Sequence, residues 1–209
     1  MKSPRLFSAA AFLCHVVLAG PLAAATPEHP GSAPVFLGLD SVRKELGLTK
    51  SQCAQLDKIR SDFKADARLI TTRPPANPVE KSAANSTVKA LVTRYNGKAV
   101  AVLTPPQHAR LVQIEHQALG GLMLFLPCEQ KLLGLKAAQI AEIGKIRSGG
   151  EAFASRVTAS FEEGSITVQE RLVALRNYRI KQSAKCLRVL TPAQRKAFQS
   201  LKGEKPARV

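Results

Sequence analysis

The feature that most constrains the fold is a pentapeptide, Leu-Thr-x-x-Gln, that recurs along the chain as a helix start. A Thr side chain can accept a hydrogen bond from a free N–H in the first helical turn, and a Gln three residues later can bond back to the Thr backbone. A fourth, altered copy has Lys136 in place of Thr, which removes the cap. The three complete copies contain Leu48, Thr49 and Gln52; Leu103, Thr104 and Gln107; and Leu190, Thr191 and Gln194. The chain is therefore predicted to be built from capped helices.

The copies form two pairs, and the members of each pair are 87 residues apart, for example Leu103 and Leu190. The tetrapeptide Lys-Ile-Arg-Ser begins at Lys58 and again at Lys145, at the same spacing and without a gap. Self-similarity of this kind is typical of internally repeated architectures. We predict two tandem helical repeats, 39–126 and 127–203, that arose by duplication.

Each predicted repeat has a short helix, two long helices and a short capped helix at its end. Apolar residues from Cys53 to Ile70 are spaced by three and four positions, which is typical of a helix with one buried face. Gly47 is expected to end the short helix in the left-handed conformation, and Pro74, Pro75 and Pro78 are expected to separate the long helices. Glycines near Gly149 predict a bend or a soft point.

No stretch alternates between apolar and polar residues, so the predicted fold class is all-α. The long helices of each repeat are expected to run antiparallel as a hairpin. Such a thin body has a high surface-to-core ratio, which predicts either a homodimer or docking of the two repeats onto each other.

Residues 1–25 are predicted to be a secretory signal peptide. Lys2 and Arg5 precede an apolar run, and the small residues 23–25 suit cleavage. Residues 26–38 are rich in Pro and Gly and predict a flexible lead-in, and 204–209 a loose tail. The mature chain is therefore expected to be soluble and periplasmic or otherwise exported.

Three cysteines would remain after cleavage, and an exported compartment permits disulfides. Cys53 and Cys186 lie on apolar stripes, where both a bridge and two buried thiols fit the pattern. Cys128, next to Pro127, is the expected free or intermolecular thiol.

The formal net charge is +16, from 31 basic and 15 acidic residues. Such a field favours contact with anionic lipid, lipopolysaccharide, nucleic acid or acidic protein surfaces, or it simply keeps an exported helical protein soluble. No nucleic-acid binding is expected, because no reading motif accompanies the charge and the predicted export argues against it.

The motifs, the export signal and the basic hairpins together resemble the LTxxQ-motif family of Spy/CpxP-like periplasmic proteins. The resemblance covers Leu48–Gln52, Leu103–Gln107 and Leu190–Gln194, and Lys136 departs from it. It implies an ATP-independent envelope chaperone or a stress-response accessory that binds unfolded envelope proteins weakly through a basic, partly apolar surface. Relatives with one pair of motifs form a small cradle-shaped helical dimer, whereas this chain carries two pairs. The alternatives are binding of envelope polyanions (lipopolysaccharide or anionic lipid) or a structural interaction protein.

The candidate contacts with unfolded client proteins are large apolar residues and the basic residues around them, although core packing is the favoured interpretation for each aromatic taken singly. They are Arg60, Phe63, Lys64, Tyr95, Met123, Phe125, Arg147, Arg156 and Phe161. The five apolar residues 122–126 cannot all face one helical stripe, so they form either the hinge plug between the two repeats, which we favour, or an exposed contact patch.

The sequence favours a protein that is not an enzyme and has no cofactor. It contains no P-loop, dinucleotide glycine pattern, Gly-x-Ser-x-Gly elbow or His-Glu-x-x-His helix. His108 and His116 would be about 12 Å apart along one helix, too far to share a metal ion. Both are expected to be solvated.

Overall fold

The computed structural model describes residues 33–71 and 77–204, and within these ranges the chain forms helices and no strands. The all-α prediction is confirmed for this part of the chain. The predicted signal peptide, the lead-in as far as residue 32, Pro74, Pro75 and the tail after Glu204 lie outside the described residues. None of the described helices is long and apolar enough to cross a membrane.

The helices follow one another with short connections. They are α1 (Ala33–Phe36), α2 (Asp40–Glu45), α3 (Lys50–Thr71), α4 (Pro78–Ala101), α5 (Pro105–Leu119), a 3-10 helix (Gly120–Phe125), α6 (Pro127–Leu132), α7 (Ala137–Glu162), α8 (Val168–Val189) and α9 (Pro192–Leu201).

The chain divides into two compact units, unit 1 ending at Leu111 and unit 2 beginning at Val112. The division lies within α5, earlier than the predicted boundary between residues 126 and 127. Side-chain bonds on either side agree with this division, because Arg110 bonds to Glu45 in unit 1 whereas Gln117 bonds to the Lys202 carbonyl in unit 2.

In unit 1, α3 and α4 pack side by side and run antiparallel. Gln52 near the start of α3 bonds to the Val102 carbonyl after the end of α4, and Asp66 further along α3 accepts from Tyr95. Their apolar stripes meet in a core of Ala67, Leu91, Tyr95, Ile59, Phe63 and Ile70. Removing this apolar surface from water is the main source of the stability of the pair.

Part of the predicted flexible lead-in is ordered. Residues 33–36 form α1, and both Ala33 and Leu37 are buried. The carbonyl of Leu37 accepts a hydrogen bond from Arg43 Nε at 2.6 Å, which ties this segment to α2. The proline-rich composition did not reveal this, because the tie depends on an arginine outside the segment.

In unit 2, α7 and α8 also run antiparallel, and one helix continues through the glycines near Gly149. Gln182 donates to the Ile146 carbonyl at 2.8 Å, and Phe153 stacks on Tyr178 with ring centroids 4.1 Å apart. A Cβ atom on Gly150 would lie 2.0 Å from Gln182 Nε2. A larger residue at position 150 would therefore displace the Gln182 amide from its hydrogen bond to the Ile146 carbonyl.

The apolar segment 122–126 is mostly buried in unit 2. Met123, Leu124 and Leu126 are each less than a tenth exposed. Gly121 N donates to Ser183 Oγ at 2.8 Å, and a Cβ atom on Gly121 would lie 2.2 Å from the Ser183 carbonyl oxygen. Most of the segment is therefore not an exposed contact patch.

Local capping residues set several helix ends. Gly47, after α2, has a φ of 58°, the left-handed value predicted for it. Asn77 caps α4 by accepting from Glu80 N at 2.9 Å, so Pro78 starts this helix as well as separating it from α3.

Candidate functional site

Unit 1 has a shallow apolar depression where the segment after α1 crosses the long helices. Its volume is about 280 Å³, including space open to solvent. It brings together three of the predicted contact residues, Arg60, Phe63 and Tyr95. The other lining residues are Pro34, Leu37, Gly38, Arg43, Leu56, Ile59 and Ala99.

Two arginines, Arg43 and Arg60, border the depression. Arg43 Nη2 lies 2.5 Å from Asp57 Oδ1, so its charge is already used within the protein. This hydrogen bond is the main reason that the pKa of Asp57 is lowered, and the positive charges of Arg43 and Arg60 add to the effect. Arg60 is exposed and is the arginine at this site that an acidic ligand can reach.

The aromatic side chains of the depression differ in exposure. Phe63 and Tyr95 meet edge to face, with ring centroids 5.4 Å apart. Tyr95 is buried, and its hydroxyl donates to Asp66 Oδ2 at 2.9 Å. Burial and this hydrogen bond raise the pKa of Tyr95. Tyr95 is thus held in place, whereas Phe63 is only half-buried and is the ring that a ligand can touch.

The other predicted contact residues do not join this depression. Lys64 is exposed on α3, and Arg156 is exposed on α7. Arg147 Nε lies 3.0 Å from Glu151 Oε1 on α7. Phe161 and Phe125 are half-buried, and the Phe161 ring lies under the guanidinium of Arg171, 4.9 Å away.

Burial decides what two of the predicted residues can contact. Met123 is only 2% exposed, so it reaches a ligand only if the 3-10 helix moves. Tyr95 is similarly buried, so it supports Phe63 from beneath and does not contact a ligand itself.

The capping motifs of unit 1 do more than start helices. Gln52 Oε1 accepts from Thr49 N at 3.0 Å, as a capping box requires, and Gln107 Oε1 accepts from Thr104 N at 2.9 Å. The two glutamines also bond to each other, with Gln52 Nε2 2.8 Å from Gln107 Oε1. We call this reciprocal pair the glutamine clasp; Gln52 also bonds to the Val102 carbonyl, and Gln107 to the Leu46 carbonyl.

A glutamine clasp also occurs in unit 2, where Gln139 Nε2 lies 2.8 Å from Gln194 Oε1. Gln139 bonds to the Val189 carbonyl and Gln194 to the Leu133 carbonyl. The Lys136 side chain has no hydrogen-bond acceptor, so it does not cap the start of α7, as predicted. The other half of the box remains, because Gln139 Oε1 accepts from Lys136 N at 3.0 Å.

The prediction that His116 is solvated is wrong. His116 is 1% exposed, with Nε2 3.0 Å from Glu129 Oε2 and Nδ1 2.8 Å from the Val112 carbonyl oxygen. Burial alone would lower the pKa of His116, but the bonds to Glu129 and Val112 and the charge of Glu115 outweigh it and raise the pKa. The sequence gives no signal for this pair, because Glu129 comes from a different helix.

Within the described residues, Cys53, Cys128 and Cys186 form no disulfide. The described residues also contain no group of three or more His, Cys, Asp or Glu side chains that could hold a metal ion. The chain matches no family model, no curated protein and no solved structure.

Proposed function

We propose that the chain is an exported, Spy/CpxP-like helical protein that binds unfolded envelope proteins weakly and without ATP, as a chaperone or a stress-response accessory. The observation that carries this proposal is the depression of unit 1, where the half-buried Phe63 and Ile59 offer apolar surface beside the exposed charge of Arg60. Unfolded chains present the complementary features, namely exposed apolar side chains with acidic residues nearby.

The size of the depression supports weak binding. Its volume of about 280 Å³ includes space open to solvent, so the depression is shallow and does not enclose a ligand. A client that rests on it keeps most of its surface in water. A contact this small dissociates spontaneously, so release needs no nucleotide.

The net charge of +16 supports the capture step. A positive field raises the encounter rate with acidic segments of a client over a distance set by the ionic strength. Binding is therefore expected to weaken as salt is added, while the apolar contact at Phe63 changes little.

We further propose that the two units descend from one duplicated hairpin, the basis for assigning the chain to the LTxxQ-motif family. The support is the glutamine clasp, because Gln139 lies 87 residues after Gln52, and Gln194 lies 87 residues after Gln107. Gly47 and Gly134, also 87 apart, have φ values of 58° and 59°.

A light-scattering assay tests the chaperone proposal. The purified protein is mixed with a chemically denatured client in the absence of nucleotide, and aggregation is followed at low and high salt. We expect suppression that weakens at high salt. The absence of suppression at several-fold excess over the client would remove the proposed function.

A pair of charge-reversal variants then tests the site. Arg60→Glu places a negative charge at the depression, whereas Lys50→Glu makes the same change in net charge at the exposed start of the same helix. We expect that suppression needs about fivefold more of the Arg60→Glu variant, with Lys50→Glu close to the parent. Equal loss in both variants would show that net charge acts without a localised site.

A further inference from the structure

The two faces of α8 have different environments. On one face, Leu175, Gln182 and Cys186 are buried, and Gln182 bonds to α7. Three aliphatic residues are exposed away from this face: Val173 by 48% and Ile180 by 59% on the opposite side, and Leu172 by 52% at the edge of the buried face. We call these three residues, together with the neighbouring basic residues Arg176, Lys181 and Lys185, the outer face of α8.

The outer face is strongly positive. The sequence of α8 contains six basic residues and one acidic residue, and that acidic residue, Glu170, is engaged in the capping box with Thr167. Arg176, Lys181 and Lys185 are exposed. Among the described residues, none of these three cations has an acidic partner within ion-pair distance.

The fold itself does not require aliphatic residues on this face. The positions 87 residues earlier, on α4, are polar, with Asn85, Ser86 and Thr93 in place of Leu172, Val173 and Ile180. The buried positions of the two helices correspond at the same spacing, as Val88 with Leu175, Tyr95 with Gln182 and Ala99 with Cys186. A long antiparallel helix of this design therefore forms with a polar outer face. Exposed aliphatic residues grouped among cations point to an interaction site.

We infer that the outer face of α8 docks on an anionic phospholipid surface. A helix lying in the membrane interface places aliphatic residues at the boundary of the acyl chains and basic residues among the lipid phosphates. The outer face of α8 offers this arrangement, because Val173 and Ile180 lie two turns apart with Arg176 between them and Lys181 beside them.

The charge argues against a second copy of this chain as the occupant. Two outer faces brought together would place Arg176, Lys181 and Lys185 of one chain against the same cations of the other, with no acidic residue to offset them. The shape argues against an unfolded client. The outer surface of a single helix is convex and does not enclose an extended chain, whereas a lipid surface is broad enough to cover it.

The inference is independent of the proposed function, and a vesicle sedimentation assay tests it. The parent protein is mixed with vesicles of phosphatidylcholine, with or without about one third phosphatidylglycerol, and the bound fraction is measured. We expect binding that is about tenfold stronger to the anionic vesicles and that weakens with added salt. Equal binding to both kinds of vesicle would overturn the inference.

Two matched variants locate the contact. The outer-face variant Leu172→Asn/Val173→Ser/Ile180→Thr introduces the residues that α4 carries at the corresponding positions. The control variant Leu69→Asn/Val79→Ser removes aliphatic residues that are more than three-quarters exposed elsewhere in the chain. We expect the first to bind about tenfold more weakly than the parent and the second to bind like the parent. The parent and all variants keep the same N-terminal residues, so any contribution of these residues to vesicle binding is the same in each.

A reciprocal variant keeps the test valid if the outer-face variant loses helicity by circular dichroism. Asn85→Leu/Ser86→Val/Thr93→Ile creates an aliphatic face on α4, and it should increase binding to anionic vesicles. Unchanged vesicle binding in a folded outer-face variant would overturn the inference. If that variant keeps vesicle binding but loses suppression of client aggregation, the face binds unfolded protein and the lipid inference fails.

Discussion

Replacing Gln52 with Ala should lower the free energy of unfolding by about 2 kcal/mol. The side chain accepts from Thr49 N at 3.0 Å and donates to the Val102 carbonyl at 2.9 Å and to Gln107 Oε1 at 2.8 Å. A neutral hydrogen bond within a protein contributes about 1 kcal/mol net. Because Gln52 is only half-buried, water replaces part of what is lost, and we expect about 2 rather than about 3 kcal/mol.

The glutamine clasp makes a sharper prediction in a double-mutant cycle. Gln107→Ala should also cost about 2 kcal/mol, because it removes the bonds to Thr104 and Leu46 as well as the bond to Gln52. The bonds between the two glutamines disappear in either single variant. The double variant should therefore cost about 1 kcal/mol less than the sum of the single variants.

Urea denaturation followed by far-UV circular dichroism gives the required free energies, and Gln139→Ala with Gln194→Ala provides a matched cycle in unit 2. Hydrogen exchange at amides of α3 and α7 assigns each effect to its unit, because a chain with two units need not unfold in one step. If the single-variant effects add to within about 0.5 kcal/mol, the bonds between the glutamines contribute nothing and the reasoning is refuted.

Three further predictions concern unit 2. A Cβ atom on Gly150 would lie 2.0 Å from a side-chain nitrogen of α8, whereas one on Gly144 would meet nothing within 4 Å. Thermal melting should therefore show Gly150→Ala destabilised by about 1–3 kcal/mol and Gly144→Ala stabilised by about 0.5–1 kcal/mol. Because the pKa of His116 is raised in the folded protein, its stabilising contribution is complete below about pH 6.5 and is lost as the pH rises through the folded-state pKa. Urea denaturation across this range should show the loss, and His116→Gln should remove the dependence. Burial raises the pKa of Cys186 to about 12, so native protein treated with an alkylating reagent should react at least about tenfold faster at Cys53, as measured by mass spectrometry. Equal rates would show that Cys186 is accessible.

The helix ends could be predicted from sequence because capping acts over three or four residues. The capping boxes at Thr49 and Thr191 and the left-handed Gly47 are set by near neighbours, and the structure has them where they were predicted. The cap at Asn77 was missed although its signal is equally local, since Asn77 is followed three residues later by Glu80. The adjacent proline was interpreted only as a helix breaker.

Burial was harder to predict, because it depends on what each helix packs against. On α8, Leu172 and Leu175 have the spacing of one apolar stripe, but the structure exposes Leu172 and buries Leu175. Residues three apart differ by about 60° around a helix, so a pattern alone does not fix the edge of the buried face. The burial of His116 likewise depends on Glu129, which reaches it from another helix.

The candidate site was partly accessible from sequence. Arg60, Phe63 and Tyr95 were selected by residue type, and they line one depression. The sequence did not show that the segment after α1 completes it, with Leu37 held by Arg43. Whether clients bind there is still a prediction.

The Leu-Thr-x-x-Gln motif is not expected to be the ligand-binding site. Both amide hydrogens of Gln52 are used, one by the Val102 carbonyl and one by Gln107, and its oxygen already accepts from Thr49 and Gln107. A side-chain amide has two donor hydrogens and two acceptor lone pairs, so Gln52 has no capacity left for a bound molecule. Any ligand that competed for it would have to open the junction of α3 and α4. The motif therefore shows how the hairpin is closed. We propose that ligands bind elsewhere, as at the outer face of α8, where Arg176, Lys181 and Lys185 have no acidic partner among the described residues.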